Sequence, residues 1–277
     1  MIPAAFDYVR AGSAEEAVAL LGQYGEDAKL LAGGHSLLPL MKLRLASPSV
    51  LIDVGRVRDL SYVRDGGDHV AVGALTRHCD VESSELLRAE VPLIPHVAGN
   101  VGDPQVRHRG TIGGSIAHGD PASDLPAAAL ALDATFVVQG PAGTRTIAAS
   151  EFFRGFLETA LEPDEVLTEI RLPKMGGAGW SFQKFNRRAQ DWAIVGVAAV
   201  GAQAGGGIAL INMASTPVRA TATERAVASG ASPADAAAVA SEGLSPPSDL
   251  NASPEFRRHL ATVLTRRALE EVAAGHP

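Results

Sequence analysis

Two glycine-rich words constrain this chain more than any other feature of its sequence: Leu31-Ala32-Gly33-Gly34-His35-Ser36-Leu37-Leu38-Pro39 and Thr111-Ile112-Gly113-Gly114-Ser115-Ile116-Ala117-His118-Gly119-Asp120-Pro121. Each pairs two glycines with a hydroxyl residue. That composition lets a backbone approach a diphosphate closely and turn several N–H groups toward it. One such loop means little. Two of them, each behind a short apolar run and separated by a domain's worth of sequence, point to a ligand gripped from both sides, and a dinucleotide fits that description.

Composition narrows the alternatives. With 277 residues, 46% hydrophobic and 20% charged, the chain has the make-up of a globular protein large enough for one large domain or two moderate ones. A formal net charge of −7 argues against a nucleic-acid-binding surface, and the pairs Arg187-Arg188, Arg257-Arg258 and Arg266-Arg267 read as solvated faces. No apolar stretch is long enough to span a bilayer and the N-terminus lacks a signal-peptide pattern, so a cytoplasmic location is expected. The single cysteine, Cys79, excludes a disulfide framework, a CxxC zinc site and any iron–sulfur cluster held by this chain alone. Its histidines show no metal-ligand spacing, so no metal site is expected.

Local patterns mark out the elements. Ser13-Ala14-Glu15-Glu16 is a capping box, with Ala17, Leu20, Leu21 and Tyr24 on one helical face before Gly25. Residues 29–32 read as a buried strand entering the first glycine word, and 50–54 and 69–73 as further strands. Residues 84–89 and 93–99 read as helices. Asp124-Leu125-Pro126 opens an alanine-rich helix to about residue 133, with Asp124 as its expected N-cap. Residues 135–139 and 144–148 form an expected hairpin around Gly140-Pro141-Ala142-Gly143, and 166–172 another strand. Met175-Gly176-Gly177-Ala178-Gly179 is the expected domain boundary. Beyond it, 180–185, 193–203 and 208–215 read as three strands, followed by helices at 223–229, 233–241 and 254–274.

Neither word has the G-x-G-x-x-G spacing of a nicotinamide-binding Rossmann unit, nor the Lys-Ser/Thr of a P-loop. Instead, Ala32-Gly33-Gly34-His35-Ser36-Leu37-Leu38-Pro39, Gln105-Val106-Arg107-His108-Arg109-Gly110-Thr111-Ile112-Gly113-Gly114-Ser115 and Asp120-Pro121-Ala122-Ser123-Asp124 together resemble the FAD-binding medium subunits of the molybdenum hydroxylases, within the xanthine dehydrogenase superfamily, the carbon monoxide dehydrogenase group most of all. Lys184-Phe185-Asn186-Arg187-Arg188, Asp191-Trp192-Ala193 and Thr216-Pro217-Val218-Arg219-Ala220 extend the resemblance through the C-terminal part.

The resemblance implies an α+β fold: a two-lobed FAD-binding domain of the vanillyl-alcohol-oxidase (PCMH) type over 1–176, then a small domain of a three-stranded sheet with helices over 177–277. It implies FAD held non-covalently, although other oxidases of this broad fold attach flavin through a histidine in a Gly-Gly-His word such as Gly33-Gly34-His35. Carried across by motif, Ala32, Gly33, Gly34, His35, Ser36 and Leu37 are one clamp, and Thr111, Ile112, Gly113, Gly114 and Ser115 the other. Asp124 bonds ligand hydroxyls, and Leu167 and Lys184 lie near the isoalloxazine. Val101 and His118 complete the expected cofactor-binding residues, and no catalytic side chain is expected. The implied function is electron transfer from an iron–sulfur subunit through FAD to a terminal acceptor, beside a molybdopterin large subunit, in a dimer of heterotrimers. A self-sufficient FAD oxidase or reductase and a non-catalytic nucleotide-binding module stay open as alternatives. In Gly102-Asp103-Pro104-Gln105 the chain carries an aspartate where many relatives have histidine.

Overall fold

The computed structural model describes residues 2–201 and 205–275, so the end of the expected 193–203 strand, at Gln203, lies outside the described residues. The first lobe is a parallel three-stranded sheet in the order β1-β3-β2, made of β1 (Asp7–Arg10), β2 (Ala28–Leu31) and β3 (Val50–Asp53). Helix α1 (Ala14–Tyr24) covers it, burying Ala14, Ala17, Val18 and Leu21 against Val50, Ile52 and Val54. The capping box forms in a shifted register. Ser13 Oγ accepts the amide of Glu16, while the Glu16 carboxylate accepts the amide of Gly12. Short α2 (Leu37–Lys42) follows the first glycine word.

The second lobe is an antiparallel sheet with the order β4-β5-β10-β6-β7. Its strands are β4 (Val63–Asp65), β5 (His69–Gly73), β6 (Thr135–Gly140), β7 (Gly143–Ala148) and, after a small ribbon of β8 (Phe153–Gly155) and β9 (Glu158–Thr159), β10 (Val166–Pro173). The expected β6–β7 hairpin is present, closing at Gly140↔Gly143. Between β5 and β6 the chain runs through α3 (His78–Ser83), α4 (Glu85–Glu90), α5 (Leu93–Gly99), α6 (Pro104–Arg107), α7 (Ile112–His118) and α8 (Asp124–Ala131). Short α9 (Ala149–Phe152) then brings Phe152 edge-on to Phe136, with ring centroids 4.6 Å apart, inside the main core.

The C-terminal sheet has four strands rather than the expected three: β11 (Trp180–Phe185), β12 (Val195–Val200), β13 (Ile208–Ile211) and the two-residue β14 (Val218–Arg219). The addition is Leu210↔Val218 pairing on the far side of β13, made by a strand too short to show an alternating pattern. Strand β12 is buried along its whole length because both faces are covered. Val195, Val197 and Ala199 face a core closed by α12 (Pro254–Ala274), with α10 (Thr221–Ala228) and α11 (Pro233–Ala238) beside it. Ala198 and Val200, with Trp180, Phe182, Ala209 and Ile211, join the core of the second lobe against Val97, Ala98, Leu125 and Ala128. The two regions share one continuous apolar interior.

The solvated face expected of Arg257-Arg258 is corrected at Arg257, whose charge sits inside the C-terminal core. Arg257 is fully buried, its guanidinium donating to the carbonyl of Ile194 and, at 2.7 Å, to Asp249 Oδ2. Asp249→Ala strands that cation and should cost about 2 kcal/mol, less than a fully buried pair because its carboxylate is partly open to water. Arg257→Met replaces the charge with apolar volume and should cost less. Urea unfolding of both variants checks this, and equal losses would contradict it.

Candidate cofactor site

The first glycine word begins where β2 ends, at the carboxyl edge of the parallel sheet, with the amide of Val54 closing the pairing on Leu31 O. Gly34 has a φ of +77°, a left-handed turn that suits glycine. Helix α2 then starts with the Leu38 amide bonding to Gly34 O at 3.0 Å. Between these anchors, the amides of Gly33, Gly34, His35, Ser36 and Leu37 have no acceptor among the described residues, on main chain or side chain. Five successive N–H groups in a tight turn are the backbone arrangement that receives an anion.

The second word departs from expectation in form. Thr111-Ile112-Gly113-Gly114-Ser115 is not a loop but the cap and first turn of α7, with Thr111 extended at the N-cap (φ −118°, ψ 148°) and its Oγ1 accepting the amide of Gly114 at 3.1 Å. The amides of Ile112 and Gly113 are already engaged, bonding to Thr76 O at 3.0 Å and Ala74 O at 2.9 Å. Glycine is required there for contact: a Cβ on Gly113 would lie 2.6 Å from Ala74 O. What this turn presents outward is the exposed Gly114 with the half-buried Ser115 beside it.

The two words meet. A Cβ on Gly33 would lie 2.8 Å from Gly110 Cα and closer still to the carbonyl of Arg109, so the first word rests on the backbone that leads into the second. Their contact needs a hydrogen at that position. Beneath it lies His78, which the sequence reading passed over. It is 4% exposed, its amide bonds to Gly110 O at 3.0 Å, and its ring fills the space that a Cβ on Gly110 would take, 2.7 Å from Cδ2. Its Nδ1 has no hydrogen-bond partner. Burial pushes the imidazole down to about 4, with the charges of His35 and Arg107 acting in the same direction. A lone histidine after Arg77 carries no spacing signal, so only the fold shows its place.

A second group of expected residues assembles across the join between the two regions. Asp124 is not the N-cap of α8; Ser123 holds that position and Asp124 is the first helical residue. Its carboxylate turns instead to Lys184 on β11, with Nζ 2.6 Å from Oδ2 and both side chains over nine-tenths buried. Lys184 also donates to Asn100 O at 3.0 Å, next to Val101. Asp124 Oδ1 is buried and unpartnered. Burial raises the Asp124 carboxyl to about 6, against the pull of the Lys184 ammonium. His118 closes α7 on the path from the second word to this pair, its imidazole lowered by burial. Leu167 is a core side chain, 6% exposed; its neighbour Thr168 accepts the Ala74 amide at 2.9 Å, two bonds from Gly113.

Two concavities of about 490 and 480 Å³ lie elsewhere, around Arg88, His96 and Trp180 and around Pro217 and Ala240, and no glycine-word residue lines either.

The chain thus carries an unpaired amide run, a hydroxyl-capped turn near it and an orphan buried carboxylate oxygen, the groups a polyhydroxylated diphosphate would need. Comparison with known proteins gives the same class. Residues 4–175 match the FAD binding domain in molybdopterin dehydrogenase, and residues 180–272 the CO dehydrogenase flavoprotein C-terminal domain. The chain is 44% identical to the carbon monoxide dehydrogenase medium chain of Hydrogenophaga pseudoflava, over 97% of each. It is 38% identical to the glyceraldehyde dehydrogenase medium chain of Sulfolobus acidocaldarius, over 99% of this chain and 100% of that one. A chain of reconstituted CO dehydrogenase from Oligotropha carboxidovorans superposes with a TM-score of 0.95 at 40% identity, covering 99% of this chain and 100% of the other. The chain belongs to the FAD-binding medium chains of the molybdenum hydroxylase family, and is a subunit of an FAD-dependent oxidoreductase.

Two outcomes follow from this geometry. Gly33→Ala forces the words apart, and equilibrium titration of the folded variant should show FAD affinity falling about a hundredfold, roughly 3 kcal/mol; an unchanged affinity would contradict it. His78 gives a pH signature. A histidine titrates near 6.5 when unfolded, so the neutral buried ring contributes stability present above that pH and lost as pH falls toward 4, up to about 3 kcal/mol. The raised Asp124 works in the opposite direction, contributing stability below about pH 4 that is lost as pH rises through 6. Urea unfolding from pH 4.5 to 7 should therefore show a flatter acid limb for His78→Leu than for the natural chain.

Proposed function

We propose that this chain is the flavin-carrying electron-transfer subunit of a molybdenum hydroxylase, holding FAD non-covalently between an iron–sulfur subunit that supplies electrons and a terminal acceptor that removes them. The observation that carries the reading is the meeting of the unpaired Gly33–Leu37 amides with the Thr111 turn, which fits a diphosphate without any lysine or arginine side chain inside the cradle. When bound, FAD supplies the redox chemistry, which is why no nucleophile or acid–base pair is needed on the protein.

The chain's own residues bind and orient. Backbone amides from Gly33 to Leu37, with the Thr111 and Ser115 hydroxyls, take the diphosphate oxygens; Ala32 and Ile112 hold these turns in place. Asp124 Oδ1, buried without a partner, accepts from a ligand hydroxyl, and Lys184 keeps that carboxylate charged and aimed. Val101, Leu167 and His118 complete the less polar walls. His35 is exposed at the lip of the cradle, where it contacts the cofactor without bonding to it covalently.

With a single cysteine, the chain does not carry an iron–sulfur cluster of its own, and among the described residues no group of metal-ligating side chains gathers. Cluster and molybdopterin therefore belong to partner chains, in a proposed dimer of heterotrimers in the cytoplasm. Medium chains named for substrates as unlike as carbon monoxide and glyceraldehyde resemble this one over nearly its whole length, which supports a substrate site on a partner chain.

Purification tests the reading. The chain should be yellow, with about one FAD per polypeptide released by acid precipitation, and Asp124→Ala should weaken FAD binding by roughly 2 kcal/mol as the ligand loses an acceptor and Lys184 its counter-charge. Flavin that stays with the precipitated protein would overturn the non-covalent assignment. Bleaching of the isolated chain by an organic substrate would point to a self-sufficient oxidase, and a colourless chain that takes up no FAD to a nucleotide-binding module.

A further inference from the structure

Thr216-Pro217-Val218-Arg219-Ala220, a motif of the C-terminal part, supplies none of the expected cofactor-binding residues. Its arginine instead reaches out of the C-terminal sheet to the far end of α8, the helix that begins with Asp124. From the outer strand β14, Arg219 Nη1 donates to Leu130 O at 3.1 Å and to Asp133 Oδ1 at 2.6 Å, while Nε donates to Glu224 Oε1 at 2.6 Å. Glu224 Oε1 also accepts the Ile208 amide, which ties the guanidinium to β13. The remaining nitrogen, Nη2, lies over Gly207, 1.8 Å from where a Cβ would be. Arg219 is a fork seated in a slot that glycine leaves open, with its charge at the carbonyl end of a helix.

One sheet holds α8 at both ends. At the start, Lys184 of the opposite outer strand, β11, grips Asp124, and the amide of Asn212, one residue past β13, bonds to Pro121 O at 2.8 Å. At the end, besides Arg219, the amide of Gly207 just before β13 bonds to Ala131 O at 2.8 Å. Between these pins every residue of α8 is buried, and half are alanine: Ala127, Ala128, Ala129 and Ala131. Small side chains bring the helix close to β12 and β13 but form shallow ridges, so packing alone resists sliding along the axis weakly. The polar pins set the axial position. Eight residues of helix are about 12 Å long and move as one rod, so a shift at Leu130 arrives at Asp124, where fractions of an ångström decide a hydrogen bond.

Resting on the flavoprotein reading above, we propose that Arg219 is a positioning residue for the cofactor site: by pinning the end of α8 it holds the Asp124 carboxylate so that Oδ2 keeps Lys184 and Oδ1 stays open to a ligand hydroxyl. Joining the two regions is the lesser part of its task. The shared apolar interior of Trp180, Phe182 and Ala198 with Leu125 and Ala128 already joins them. A tie between surfaces also does not call for one helix gripped from both outer strands of a sheet, with one grip on the carboxylate that carries an orphan acceptor. Supporting contacts of this kind, remote from the ligand, orient a binding group in advance and lower the ordering cost of binding.

The test is equilibrium FAD titration of the full natural chain and of Arg219→Lys and Gly207→Ala, each also made in an Asp124→Ala background, with urea unfolding of every variant. Lysine keeps the charge but serves fewer acceptors, and the methyl of Gly207→Ala pushes the guanidinium off its partners without removing it. Each should weaken FAD binding about fivefold when Asp124 is present and less than about twofold when it is absent, because a residue acting through that carboxylate loses its effect once the carboxylate is gone. Arg145→Lys is the control: its fork serves Glu165 and Ala160 O, so it should lose stability and keep affinity. Equal losses of affinity in the two backgrounds, or stability lost with affinity unchanged, would overturn the proposal and leave Arg219 a structural tie. So would an Arg145→Lys chain that loses as much affinity as Arg219→Lys. A natural chain that takes up no FAD sinks the functional reading and this inference with it, whereas uptake indifferent to Arg219 sinks this inference alone.

Discussion

The structure turns on a contact that only a hydrogen atom permits. Gly33 lies so close to the backbone of Arg109 and Gly110 that any side chain there would wedge the two glycine words apart. Because they touch, the word that carries five unpaired amides lies against the backbone leading into the threonine-capped turn of the other, joining elements nearly eighty residues apart in sequence. His78 supports this contact from below, its unprotonated ring packed on Gly110, and Gly113 supports it from the side against Ala74. Three separate close approaches pack the cradle, and in the proposed function that packing lowers the ordering cost of binding.

The second half of the site depends on a buried charge pair. Lys184 and Asp124 come from the two regions of the chain, and their desolvation is offset only in part by their 2.6 Å contact, since one carboxylate oxygen remains unpaired. A pair of this kind adds little to stability, and under the proposed function its open oxygen is the acceptor for a ligand hydroxyl. The surrounding core is continuous: Trp180, Phe182 and Ala198 pack with Leu125 and Ala128 in one interior. That continuity packs the strand of Lys184 against the core that carries α8.

Much of this was legible in the sequence, and the exceptions have physical causes. The first glycine word, the β6–β7 hairpin and the capping residues Ser13, Ser232 and Ser253 are local features, written in glycine, proline and serine at fixed offsets. The helical nature of Thr111–Ser115 was not legible, because Gly113, Gly114 and the β-branched Ile112 disfavour a helix interior and outweigh the Thr111 cap signal; carbonyls of Thr76 and Ala74, far off in the chain, supply the acceptors that fix that turn. Asp124 misled for a related reason, since the same carboxylate can cap a helix or bind a lysine sixty residues away, and only the fold decides. His78 and the pairing of β14 are likewise products of tertiary structure.

If the amide cradle is built for a diphosphate, the number of phosphates on the ligand should decide affinity, and competitive titration of the flavin-free chain reads that most directly. FAD should bind at least about a hundredfold more tightly than FMN, and ADP should displace it. Equal affinity for FMN and FAD, with no competition from ADP, would contradict the account at its root.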